Sequence, residues 1–504
     1  MIESARAAAL EIGERLTQAP SQRLVAIAFA HELKAQRGLE EAIGWVDIAH
    51  TLCLAEANVI PRAAARDLLG ALLELHAGPS SFSPSPEFGD LYTNREAWIA
   101  ERTPAVGWLG AGRARREALT TAFHLVSCEA LCALGEALVA AVETLGAFSL
   151  RHKETLAPDY TYLQAAQPTS FGHYAQCFAW PMLRDLDRIA GLHARANHCP
   201  AGVGASNGST IPQDRRALAR RLGFAAPVRH ARDAMWQADL PIEALGVAVA
   251  AMVNLDRLAE DLMIFATTEF GFVCLADRQA RASKIMPQKR NPFALAFVRA
   301  TANRLIGVQA AVAAAGRTPS GQPDNRLFVY QAVPEALRAA ADAAALLAEC
   351  VRDLEVDESR ARAALADGSV CAADLAERLT TQTGVDYRRA HGAVGSLLAG
   401  LEAQGRSLAQ ATAEDLAAAL LSGDAAAQGG DLEAILAAAL DPAACLAART
   451  GVGGAAPEEV AAMAKELGEA AAARREEIAS WRARSMAAID ALLKDAAAFV
   501  AEGA

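Results

Sequence analysis

Three segments of this chain, residues 113–151, 239–265 and 291–315, carry apolar residues at helical spacing over more than twenty residues each, with few helix breakers inside them. An apolar, alanine-rich helix of that length does not stay folded in water by itself. It buries its sides in a bundle, often one shared between subunits. Composition agrees. Hydrophobic residues make up 53% and aromatics only 5%, which excludes a disordered chain and argues against a β-rich one. The 504 residues suggest about three domains. Lys and Arg total 48 against 59 Asp and Glu, a net charge of −11, so no nucleic-acid partner is expected.

The opening residues 1–16 lack a basic region followed by an apolar one, so no signal peptide is read there. The apolar stretch 130–148 is interrupted by Glu136 and Glu143, and no membrane span is expected. The nine cysteines are odd in number and without C-x-x-C pairs, which suits free thiols in the cytoplasm. Clustered Cys and His ligands for a metal are not seen, and no cofactor is assigned.

Glycine and proline divide the chain. Residues 78–86 read as an exposed loop, and the glycine-rich turn at 107–112 closes a first unit, residues 1–112. A central helical-bundle unit follows over 113–360. Its helices include 239–265, a helix beginning at Asn291 and ending before Gly316, and another over about 334–356. Asn291 is expected to cap and Pro292 to take the first helical position, where no N–H is needed. That helix is about 36 Å long. Shorter helices with glycine breaks then give a third unit, residues 361–504, ending in a charged helical tail over about 459–499.

The segment from Ser283 to Pro292, S-K-I-M-P-Q-K-R-N-P, carries the clearest chemistry. It places a hydroxyl (Ser283), a cation (Lys289) and an amide (Asn291) just ahead of a helix N-terminus, which attracts anions. The alternative is a basic loop with a capped helix behind it. Two other segments read as polar loops: residues 159–168, and the glycine-rich run 200–210. The second lacks G-K-[ST] and a preceding strand, so it is not read as a phosphate loop.

The Ser283 segment resembles the S-S-x-M-P-x-K-x-N-P loop of the fumarase/aspartase superfamily. Within it the chain is most similar to the argininosuccinate lyases. Thr161-Tyr162-Leu163-Gln164, Gln167-Pro168 and Phe171-Gly172-His173 resemble their Y-T-H-L-Q-x-A-Q-P-x-x-F-G-H. Gly202 to Gly208 with Pro212, Asp214-Arg215 and Leu222-Gly223-Phe224 resembles their glycine-rich block. Ala373-Asp374-Leu375-Ala376, Arg389-Ala390-His391 and the run from Arg449 to Pro457 resemble their late motifs.

The resemblance implies an all-α, three-domain fumarase/aspartase-like fold and a homotetramer whose central long-helix bundle is shared between subunits. It implies composite active sites built from three chains and a β-elimination that leaves fumarate. Ser283 aligns with the catalytic serine. Arg115 keeps the arginine used on a carboxylate, and Thr161, Gln164, Lys289 and Asn291 keep the same end of a small dicarboxylate substrate.

Departures collect at the other end. Arg116 stands for an asparagine, Asp324 for a tyrosine, and Val329 and Ala332 for a glutamine and a lysine. Trp236-Gln237-Ala238-Asp239 replaces S-D-R-D, and Lys284 replaces a second serine. Losing several polar partners at once disfavours an arginine tail. Tyr162 stands where the family has a histidine, so it becomes the candidate acid, unless the leaving group needs little protonation, as nitrite would. Genuine argininosuccinate cleavage and a non-catalytic scaffold are the alternatives; the late motifs argue against a cycloisomerase or adenylosuccinate-like lyase.

Overall fold

A computed structural model describes residues 16, 18–317, 328–422 and 430–502. The fold is all-α, with strands present only as short pairs. Arg115–Arg151 is its axis. It packs against Phe171–Ala196, Val329–Arg352 and Pro457–Ala501, while Asp239–Phe265 packs against Phe293–Ala315 and Val329–Arg352. Leu119, Ala122, Leu134, Leu138 and Val142 of the axis are all buried. By length and composition alone this helix is long and apolar enough to cross a membrane. However, 61% of its most apolar window is buried against its neighbours, as in the core helix of a bundle.

Two helices end differently from the expectation. Val329–Arg352 starts five residues before Pro334 and stops before Val356, which instead pairs with Val273 in a short antiparallel ladder. The other long helix begins at Phe293, with Pro292 in the cap position and no side-chain cap. Asn291 lies in a strand paired with Arg281, and its amide donates to the Arg281 carbonyl at 2.9 Å. One donor of the Asn291 amide therefore closes a loop, and the residue does not cap.

Buried residues between Leu375 and Leu420, with Ile435, Leu436 and Ala439, form a core of their own, but Leu467, Ala471, Ile478 and Leu492 belong to the main core, together with the axis helix. Gly135 permits this packing: a Cβ there would lie 2.6 Å from Ile478 Cδ1. Arg482 reaches Glu129 and Glu136 at 2.6 and 2.8 Å, and Arg474 reaches Asp187 at 2.6 Å. Each exposed pair adds little stability, but together they tie the tail helix to Arg115–Arg151 and Phe171–Ala196. A period of apolar residues shows that a helix buries a face and not which neighbour covers it, so the packing of this helix on the axis has no sign in the sequence.

Candidate active site

Ser283 sits at the foot of a loop closed by the strand pair Arg281–Ala282 and Arg290–Asn291. Its N–H donates to the Lys289 carbonyl at 3.3 Å, and Lys289 N–H donates to the Met286 carbonyl at 3.1 Å. Arg290 anchors the outer side, donating to Leu275 O at 2.9 Å and pairing with Asp277 at 2.7 Å. The tip projects into solvent, with Ile285 85% exposed.

Within the loop, Ser283 Oγ accepts the N–H groups of Ile285 at 3.4 Å and Met286 at 3.0 Å. Two converging backbone dipoles favour negative charge on that oxygen. A serine hydroxyl is ordinarily a poor base, and amides aimed at its oxygen lower the cost of ionising it. Lys284 and Lys289 are both exposed on the same loop, and the N-terminus of Phe293–Ala315 follows it directly.

Arg115 opens the axis helix. Its Nε lies 3.6 Å from Asp90 Oδ2, and Arg116 lies 3.7 Å from Glu32. Asp90 is buried and caps Leu91–Ala100, its Oδ1 accepting from the Thr93 N–H at 2.9 Å. Beneath the two arginines lies a buried charge cluster. Asp47 takes Arg95 Nε at 2.9 Å and Arg113 Nη2 at 2.8 Å, and all three side chains are at most 3% exposed. Burial pushes Tyr92 up to about 12 and Glu96 up to about 7 in the same cluster.

The glycine-rich run is a strap packed on this end. Gly202, Gly204 and Gly208 all have positive φ, a region glycine enters freely. At Gly204 a Cβ would lie 2.7 Å from the Gly208 carbonyl oxygen. Glu117 Oε1 accepts the Gly202 N–H at 2.8 Å, and Gln213 Nε2 donates to the Gly112 carbonyl at 2.8 Å.

Burial raises the Glu117 carboxyl from 4.5 to about 7, against the opposing pull of the Gly202 and Gly204 N–H groups, Arg113 and Arg215. The folded state therefore favours the proton. Its stabilising contribution is complete below the unfolded value of 4.5 and is lost as pH rises through about 7. That loss is on the order of 3 kcal/mol. The melting temperature is expected to fall between about pH 5 and 8. Glu117→Gln should remove part of the fall, with Glu96 supplying the rest. An unchanged pH profile in that variant would show that Glu117 does not titrate in this way.

The third group lies on an antiparallel hairpin, Leu156–Thr161 with Gln164–Ser170, where the sequence suggested only a polar loop. Its two-residue turn is Tyr162-Leu163, with φ of 56° and 57°. Both angles suit a tight hairpin of the type usually built from Asn-Gly, which is why the sequence concealed it. Strain of about 1–3 kcal/mol per residue is the expected cost of holding non-glycine residues there. Tyr162 is 99% exposed, Thr161 and Gln164 are exposed, and Gln164 donates to the Leu163 carbonyl at 3.3 Å.

Among the described residues, no hydrogen bond or ion pair of Tyr162, Ser283, Lys289 or Asn291 reaches another of the three groups. Asp324 and the Trp236 side chain lie outside the described residues. Three histidines near the polar loops and the axis helix have structural partners. His173 lies 3.1 Å from both Thr169 Oγ1 and Gly453 O, His124 lies 3.2 Å from Ala196 O, and His230 caps Ala231–Trp236. Sequence reasoning missed Asp47 and Glu117. The only signal for either was a lone acid in a largely apolar helical stretch.

A family profile described as "Lyase" matches residues 28–307, and one described as "Argininosuccinate lyase C-terminal" matches residues 370–447. The chain is 34% identical to the argininosuccinate lyase of Halorhodospira halophila (strain DSM 244 / SL1) over 88% of this chain and 95% of that one. It is 32% identical to the argininosuccinate lyase of Methanothrix thermoacetophila, over 84% and 86% of the two chains. Among solved structures, EDDS lyase in complex with formate superposes with a TM-score of 0.85 at 23% identity, covering 96% of this chain and 97% of that one. Class II fumarase from Schistosoma mansoni gives 0.68 at 13% identity, covering 88% and 94%. The chain belongs to the fumarase/aspartase superfamily, similar within it to the argininosuccinate lyases, and is a carbon–nitrogen lyase.

Proposed function

We propose that the protein removes the amine from an N-substituted aspartate and releases fumarate, with a leaving group other than arginine. The observation that carries this reading is the pair of backbone N–H groups on Ser283 Oγ. Ser283 takes a proton from the carbon beside a carboxylate. The electron pair moves into the adjoining carboxylate as an aci-carboxylate and then into the new C=C bond. The C–N bond breaks, and its electrons leave on nitrogen. Lys289 and Asn291 stabilise the charge that develops on the carboxylate, Arg115 holds the other acidic group, and Thr161 and Gln164 orient the head.

Assembly completes the site in this reading. Phe293 and Phe297, four residues apart on one face of a helix, are each nearly half exposed, an apolar patch that a second copy would cover. A homotetramer with composite sites would bring the three groups together.

Tyr162 supplies the proton to the departing nitrogen. Tyr162→Phe is expected to lower turnover about 10–100-fold, read as fumarate absorbance in the ultraviolet. Unchanged turnover would remove Tyr162 from the mechanism and favour a second reading, nitrite as leaving group. A third reading, argininosuccinate itself, is favoured by the named relatives. Running the reaction backwards from fumarate with arginine, other amines and nitrite tests the scheme. Consumption of fumarate with arginine alone would contradict the proposed leaving group, and no consumption with any of them would contradict the proposal as a whole.

A further inference from the structure

The glycine-rich strap is fastened on both sides of Arg115. On one side Glu117 Oε1 accepts from Gly202; on the other Gln213 donates to Gly112. Between the two fastenings, residues 205 and 207–210 are exposed. The fit beneath is tight. A Cβ on Gly112 would lie 2.7 Å from Gln213 Nε2 and 2.8 Å from Ser209 Oγ. Arg215 adds a third tie, donating to Ala201 O at 3.0 Å and Val228 O at 2.8 Å. Glu117 itself is 1% exposed, and among the described residues its Oε2 has no hydrogen-bond partner. A buried carboxyl with half its acceptor capacity unused is costly. Its one strong contact is to the strap, two residues along the helix from Arg115.

We propose that Glu117 is a positioning residue: it pins the glycine-rich strap against the start of the Arg115 helix and so fixes the wall of the carboxylate end of the site. This rests on the reading of Arg115 as a carboxylate-binding group. The side chain does not touch substrate; it acts through the Gly202 N–H.

The test is calorimetric titration of the assembled, full-length protein with fumarate. Glu117→Asp keeps the carboxyl group but shortens the reach by one methylene. It is expected to weaken fumarate binding about tenfold, the worth of one lost hydrogen bond. Glu117→Gln keeps an oxygen acceptor at the same reach and is expected to stay within about threefold of wild type. A purely structural role would not give that rescue. Gln213→Ala loosens the opposite fastening and should also weaken binding. It decides the matter if Glu117→Asp does not fold. Wild-type affinity in both Glu117→Asp and Gln213→Ala, or equal damage from Asp and Gln, would overturn the proposal. If Arg115→Ala binds fumarate as well as wild type, the reading of Arg115 fails first and the role of Glu117 falls with it.

Discussion

Ser283→Ala is expected to lower kcat/KM for fumarate formation by about 10²–10⁴-fold, the usual contribution of a positioned general base. The argument is geometric. The Oγ accepts N–H groups from Ile285 and Met286, so its negative form is stabilised by groups already in place before substrate arrives. Alanine removes the oxygen and leaves those two N–H groups to solvent, which exposed loop amides tolerate. Folding should therefore be unaffected, and circular dichroism should be unchanged. Fumarate affinity should change far less than turnover, because Arg115, Lys289 and Asn291 remain. Retention of wild-type turnover would exclude Ser283 as the base.

Asp47→Ala is expected to destabilise the fold by about 3–5 kcal/mol, since it strands two buried guanidinium groups. Arg95 and Arg113 both bond to this one carboxylate, and neither side chain is more than 3% exposed. Arg113 also donates to Leu109 O at 3.2 Å, so the loss is partial at that residue and larger at Arg95. The melting temperature should fall by many degrees. Fumarate affinity should fall as well, because Arg113 leads directly into the turn that carries Arg115. A melting temperature equal to wild type would mean that the cluster contributes nothing net to stability.

The long helices were legible because their apolar period persists over many turns: Asp239–Phe265 and the end of Arg115–Arg151 follow from pattern alone, while the start of the second lies two residues past the expected 113. The Ser283 loop was legible as a motif, but the amides that surround the oxygen were not, because they come from loop backbone and carry no side-chain signal. The hairpin at Thr161–Gln164 was hidden by its turn residues, since Tyr162-Leu163 has neither glycine nor asparagine to mark positive φ. Asn291 misled in the other direction. It has the chemistry of a cap, and tertiary context spent that chemistry on Arg281. Asp47 and Glu117 could not be read at all. Their partners lie 48 and 85 residues away in sequence, and a single chain gives no local sign of such pairings. The same limit kept the placement of the tail helix out of reach.

Co-assembly of two inactive chains tests the central claim most directly. If Ser283 and Arg115 serve one site from different subunits, chains carrying Ser283→Ala and chains carrying Arg115→Ala, unfolded together and refolded as a mixture, regain fumarate formation, because some sites then draw both intact residues. If the mixture assembles into mixed oligomers and remains as inactive as either parent, the two residues do not meet across a subunit boundary, and the composite site does not exist.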